Sequence, residues 1–241
     1  MYLKNIRYIA KKIGKQFKLD EDSKAESGIG VLIIFIALVL VAAVAASVLI
    51  HTAGILQQKA DATGTTTTNQ VSSGLIINSI IGYDSGNPPE SGGVQYVAIL
   101  LQDNAGGSAI NLANASLTIT INSATALLVY NSSLFSNVSK NGIDNLFKDP
   151  VFQNMSAKKN DQTNFGVISV IDPTNSITGA YPVITIGDEA ALVFNVTNTF
   201  GSNITQNMVV SGEITPEVGA TSQIQFTAPI AFTSSVVTLQ N

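Results

Sequence analysis

An α+β chain, with one long N-terminal apolar helix followed by an antiparallel β-sandwich, is predicted by three observations. An uncharged apolar run extends from Ile29 to Ile50, a basic segment comes directly before it, and beyond Gly74 short apolar runs alternate with turn residues. The apolar run holds 22 residues interrupted only by Gly30 and Ser47, which meets the length of about 20 needed to cross a bilayer as a helix. It is a membrane segment at some stage.

Across the 241 residues, charged side chains make up 12%, against about 25% in an ordinary globular protein. Beyond the helix, solubility must therefore come from hydroxyls, amides or attached sugar. The formal net charge is -4, yet most basic residues precede Ala25, so the remainder is more acidic than the whole. Phosphate binding needs clustered Lys and Arg, and no nucleic-acid partner is expected. With no Cys in the chain, disulfides and thiolate metal sites are excluded.

Lys4, Arg7, Lys11, Lys12, Lys15 and Lys18 lie before the apolar run, and only His51 and Lys59 follow closely after it. The positive-inside rule then holds the N-terminus in the cytoplasm and carries the C-terminal region outside. Tyr2, Leu3, Ile6, Tyr8, Ile9, Ile13 and Phe17 alternate with these charges at roughly helical spacing, but a purely topogenic role explains them. An ordinary secretory signal has a shorter apolar region followed by a small-residue cleavage site. Here the small-residue stretch, Ser23 to Gly28, comes first. Cleavage there would leave the apolar helix on the mature chain.

That helix is apolar on every side and so needs apolar surroundings all round. Fifteen of its residues are large aliphatics or Phe; at about 1.5–3 kcal/mol each, exposing them to water costs tens of kcal/mol. A soluble monomer is excluded. Outside lipid, other copies of the same helix must cover it, with Ile29, Leu32, Phe35, Ile36, Val39, Ala43, Ala46 and Leu49 as the expected packing core. Ala42, Ala43, Ala45, Ala46 and Ser47 permit close backbone approach. The helix is expected to continue past His51 and to end in the stretch Ala62 to Asn69, where Gly64 and four consecutive Thr weaken helix propensity. At 1.5 Å per residue it would be about 50 Å long.

Beyond Gly74, apolar runs at 94–101, 117–121, 126–130, 167–171, 183–186, 191–196, 208–214, 224–226 and 236–239 are expected strands. Leu117, Ile119 and Ile121 alternate with Thr118, Thr120 and Asn122, as a half-buried strand requires. Asn87-Pro88-Pro89, the 104–107 stretch, Asn141-Gly142 and Asp172-Pro173 read as turns. Strands at this spacing suggest a sandwich. The polar segment from Ser136 to Asn164, with Lys140, Lys148, Asp149, Lys158, Lys159 and Asp161, is expected to form exposed loops or a short helix.

Asn114, Asn131, Asn137, Asn154, Asn195 and Asn203 each begin an Asn-x-Ser/Thr sequon, the acceptor for N-linked sugar on an exported domain. Several are expected to carry glycan, Asn195 least readily because it sits within a strand. The single histidine lies at the membrane edge, which leaves no His for a catalytic triad or a zinc site in the outer domain. Asp188-Glu189 could serve a glycosidase or a Ca²⁺ site, but adjacent acids between strands are more often a solvated turn. No Gly-rich phosphate loop with its Lys is present. Neither a metal nor a cofactor is expected, and an enzyme is the least expected class.

The run SGIGVLIIFIALVLVAAVAASVLIHTAGILQQKA, from Ser27 to Ala60, resembles the N-terminal signature of archaeal flagellins, the archaellins. The resemblance extends to YVAILLQDNAGGSAINLANASLTIT (Tyr96 to Thr120) and PEVGATSQIQFTAPIAFTSSVVTLQ (Pro216 to Gln240). It implies an immunoglobulin-like β-domain and a preprotein processed by a prepilin-peptidase-like protease. The product is added to a rotating helical filament by a membrane platform with an ATPase motor. Placed on the family's cleavage motif, the scissile bond is Ala25–Glu26, with Ala25 standing where the family usually has Gly. Type IV pilins typically carry Glu at the fifth mature position; Gly30 stands there, which favours archaellin. The expected organisation is a leader at 1–25, a core helix at 26–62, a Thr-rich linker at 63–74 and an extracellular β-domain at 75–241. The expected function is the homopolymeric structural subunit of the archaellum, held in the cytoplasmic membrane as a precursor and extracellular once assembled. Its rivals are a pilin-like adhesion subunit and a single-span surface protein that never polymerises.

Overall fold

The computed structural model describes residues 2–86, 92–104, 107–157 and 162–240, the side chains of residues 2–10, 12–27 and 157 excepted. Two compact units divide the chain at Thr63 and Gly64. The first consists of one helix, α1, which runs from Tyr2 to Ser72 and so ends within the second unit. Side chains of its apolar stretch, from Ile29 to Ile50, are exposed throughout, the large ones by 50% to 74%.

The end of α1 differs from the sequence expectation. Thr63 to Ser72 is helix, not linker. Each Thr costs only about 0.5–0.7 kcal/mol relative to Ala, and the hydroxyls near the end bond back onto the helix: Ser72 Oγ donates to Thr68 O at 2.8 Å. Once the preceding turns have met the cost of nucleation, a weak propensity does not stop propagation.

The β-domain is built on one nine-stranded sheet. In chain order the strands are β1 (Leu75–Tyr83), β2 (Tyr96–Asp103), β4 (Ser116–Ile121), β5 (Ala124–Asn137), β6 (Asn164–Ile171), β8 (Glu189–Asn195), β9 (Val209–Thr215), β10 (Ser222–Thr227) and β11 (Val236–Gln240). The short β3 (Ile110–Asn111) and β7 (Val183–Ile184) pair separately. The spatial order is β10-β9-β4-β5-β6-β8-β2-β1-β11. Every ladder is antiparallel except β5 with β6, which is parallel.

The 14-residue β5 belongs to both halves of the sheet. Its first part pairs with β4 up to Val129; its second pairs with β6 from Val129 to Asn137, with an irregularity between Tyr130 and Phe135. A strand that changes partners at an irregularity forms a corner between packed layers. The sheet closes around one core that takes Leu117 and Ile119 from β4, Ile214 from β9 and Leu192 and Phe194 from β8. Across its mouth, Gly74 bridges Ala220 and Ser222 Oγ donates to Leu75 O.

Strand β8 is buried on both faces. Ala190, Leu192 and Phe194 enter the main core, while Ala191 and Val193 enter a second cluster with Leu134 and Ile168. Helix α2 (Pro150–Ala157) covers that second cluster with Val151, Phe152 and Met155. The polar segment therefore contains the expected short helix, but it is a buried layer as well as a surface. Asp149, 2% exposed, accounts for this: Oδ1 accepts from Val151 N at 2.9 Å as the helix cap, and Oδ2 accepts from Ser136 Oγ at 2.7 Å. A capping side chain makes a polar sequence compatible with burial. Lys140 and Lys148 are exposed; Lys158, Lys159, Asp161 and the Asn87-Pro88-Pro89 turn lie outside the described residues.

Candidate functional sites: assembly helix, helix clasp, acid pair and sequons

Ile29, Leu32, Ile36, Val39, Ala43 and Ala46 follow one another at alternating spacings of three and four residues along α1. That is a seam of the 3.5-residue period by which helices pack on helices. Phe35 and Leu49 extend apolar surface beyond it, and all eight residues are exposed. Ala25 and Glu26 lie in α1, with side chains outside the described set. His51 is an exposed residue of the same helix.

Where α1 ends, the β-domain grips the chain. Ser73 is 1% exposed, and its N–H donates to Asn69 O at 2.9 Å. Its Oγ accepts from Ser108 N at 2.7 Å, and its carbonyl accepts from Ala220 N at 2.9 Å. Asn104 N donates to the next carbonyl, Gly74 O, at 2.9 Å. Two glycines permit this approach. A Cβ on Gly219, whose φ is +112°, would lie 2.5 Å from Ser73 O, and one on Gly107 would lie 2.9 Å from Ser73 Cα. Only residues without a side chain fit so close to a backbone. Sequence reasoning missed this clasp because its parts lie about 35 and 147 residues beyond Ser73, and no local pattern joins them.

A second feature corrects the solvated turn expected at Asp188-Glu189. Asp188 is 1% exposed. Its Oδ2 accepts from Thr185 N (2.8 Å), Thr185 Oγ1 (2.7 Å) and Ser176 Oγ (2.9 Å), while Oδ1 has no hydrogen-bond partner. Asp103, 8% exposed at the end of β2, has no hydrogen-bond partner on either oxygen among the described residues. Both line a depression of about 270 Å³ rimmed by Ile76, Ile171 and Ile186. Burial pushes the Asp103 carboxyl above the usual carboxylate range, the Asp188 charge adds to the rise, and the Asn104 backbone amide offsets part of it. For Asp103 this favours the protonated form. Among the described residues, no group of three or more His, Asp or Glu converges as a metal cluster would. Elsewhere, burial takes the Tyr130 hydroxyl to about 12, and it donates to Gly179 O at 2.7 Å.

The six sequons, alike in sequence, occupy different settings. Asn114, Asn137 and Asn154 are exposed, Asn131 and Asn203 are half-buried, and Asn195 is buried. Asn114 Nδ2 donates to Glu217 Oε2 at 2.6 Å. Asn195 closes β8 and caps the short helix α3 (Val196–Phe200), its Oδ1 accepting from Asn198 N at 3.0 Å.

With this geometry in hand, a family model described as archaeal-type flagellin matches residues 25–226. The chain belongs to that family. It is 44% identical to flagellin B1 of Thermoplasma volcanium, over 96% of this chain and 99% of that protein. The crystal structure of archaeal flagellin FlaB1 from Methanocaldococcus jannaschii matches with a TM-score of 0.61 and 31% identity, over 70% of this chain and 97% of that one. A chain of the archaeal flagellum of Methanospirillum hungatei shares the fold with a TM-score of 0.58 at 18% identity, covering 87% of this chain. The clasp is made by the segments that carry the family resemblance: Asn104, Gly107 and Ser108 fall within 96–120, and Gly219 and Ala220 within 216–240.

Proposed function

We propose that the chain is the structural subunit that polymerises into the archaellum filament, the rotating organelle of swimming motility. The observation that carries this is a helix apolar on every side, its side chains from Ile29 to Ile50 exposed, joined to a β-domain of flagellin fold. Before assembly, lipid covers the helix; afterwards, neighbouring copies of the same helix do. Moving from bilayer to bundle gains little hydrophobic energy because lipid is already apolar, so close packing along the seam has to supply the preference.

A prepilin-peptidase-like protease cuts between Ala25 and Glu26, removing the basic leader and leaving the apolar run intact. The start of the family match at residue 25 supports this position. The membrane platform and its ATPase motor insert each processed copy at the filament base. The exported β-domain faces solvent and carries N-linked sugar on part of its sequon set.

The decisive experiment is N-terminal sequencing of subunits from filaments sheared off cells, paired with swimming assays after replacement of the gene. Subunits beginning at Glu26 and loss of swimming on deletion are expected. Subunits beginning at Met1, or swimming cells that lack the protein and have no substitute for it, would overturn the proposal.

A further inference from the structure

The six sequons divide by what their carboxamides already do in the fold. From this division we infer that Asn137 and Asn154 carry N-linked oligosaccharide and that Asn195 and Asn203 stay unmodified. The inference rests on the reading of the β-domain as exported, since only there does a lipid-linked sugar donor meet the chain.

The reaction sets the requirement. Asn Nδ2 attacks the anomeric carbon of an oligosaccharide carried on a polyprenyl phosphate. An N–C bond forms, the bond from that carbon to the phosphate oxygen breaks, the lipid phosphate leaves with the electron pair, and Nδ2 loses a proton. The product must then coexist with the folded domain. Nδ2 therefore has to face solvent, and its amide cannot be committed to holding the chain together.

Asn137 satisfies both conditions. It is exposed at the end of β5, and its Oδ1 accepts from Ser139 N at 3.0 Å and Ser139 Oγ at 2.7 Å. The sequon's own hydroxyl thus grips the oxygen side of the carboxamide and turns the nitrogen side outward. Asn154 is exposed on α2 while its neighbours Phe152 and Met155 point into the second core cluster, so the helix itself presents the amide to solvent.

Asn203 is tied to the sequon of Asn195. Thr197, whose hydroxyl should serve Asn195, donates instead to Asn203 Oδ1 at 2.5 Å. Asn203 Nδ2 donates to Gly92 O at 2.9 Å, joining segments 111 residues apart. Asn195 is 7% exposed with its Oδ1 spent on the cap of α3. Sugar on Asn203 Nδ2 would compete with its bond to Gly92 O, and sugar on Asn195 would have to enter a buried site.

Glycopeptide mass spectrometry on filaments sheared from native cells tests this. Expected are sugar on the Asn137 and Asn154 peptides and none on the Asn195 and Asn203 peptides. Sugar on Asn195 or Asn203, or a bare Asn137 or Asn154, overturns the inference. If filaments form but all six sites are bare, the inference fails and the filament reading stands; if the protein never leaves the cell, the export reading itself fails. A second arm keeps the acceptor nitrogen and removes only the sequon hydroxyl: Ser139→Ala should abolish the sugar mass at Asn137, and Ser139→Thr should restore it. Sugar persisting on Asn137 in Ser139→Ala would also overturn the inference.

Discussion

Asp103 shows how one buried group ties stability to pH. Its folded-state pKa is raised, so folding favours the protonated acid, and the stability this confers is present at acid pH and lost as pH rises through the folded value. In chelator-containing buffer, where only the proton is varied, Asp103→Asn should therefore raise the melting temperature of the β-domain near pH 7. The gain should shrink toward pH 3; an equal gain at both pH values would show that the carboxyl does not titrate as described. Gly219 makes a second residue-scale prediction. Gly219→Ala sets a side chain against the Ser73 carbonyl at a φ of +112°. Because the obstacle is backbone, the cost should be about 1–3 kcal/mol, measurable by denaturant unfolding, with faster amide exchange at Ala220. The sequence displayed both residues without revealing either role. Asp188-Glu189 read as a solvated turn because adjacency in sequence carries no information about burial, and Asn203 was not set apart from the other sequons, as Asn195 was, because it meets its partner 111 residues away.

Elements were legible in proportion to their periodicity. The apolar run made the helix unmistakable, and Leu117 to Ile121 gave β4 its alternation. Strand β1 was not among the expected strands: register shifts between Ile77 and Ser79 and between Ile80 and Ile81 break its period. The end of α1 was hidden by Thr residues whose propensity cost is too small to stop a helix already nucleated. For the helix, the expectation is that Ala43→Asp blocks assembly. Insertion survives because one central Asp costs only about 2.5–3.5 kcal/mol on translocon scales, but the same unpaired charge recurs at every position of a helical polymer. Immunoblots should find processed protein in the membrane, and microscopy should find no filaments; swimming cells would remove the helix as the assembly element. For α2, the Phe152 ring lies tilted against Phe147, with centroids 5.1 Å apart, and edge-on to Tyr96 at 5.4 Å. Phe152→Ala should cost about 3–5 kcal/mol in the unfolding of the β-domain, whereas an exposed polar flap would lose almost nothing.

At the scale of the molecule, the fold class followed from one apolar helix and a series of short strands. The parallel β5–β6 pairing did not, since hydropathy does not encode strand direction. The two-unit division predicts that a fragment beginning at Gly64, which retains Ser73 and its clasp, folds as a soluble β-rich monomer. Circular dichroism and sedimentation should show a folded, non-assembling species; spontaneous filaments would refute the placing of assembly energy in α1. The attachment of the helix also determines how the domain bears load. Tension carried along the chain meets the clasp at Ser73 and Gly74 and then β1 at Leu75, and β1 lies between β2, paired from Leu75↔Asp103 to Tyr83↔Tyr96, and β11, paired from Ile80↔Gln240 to Tyr83↔Val236. A pull along a strand held on both edges shears its ladders as a group, where a pull across them would peel the bonds one at a time. The last described strand thus adds a second ladder to the strand that follows the clasp.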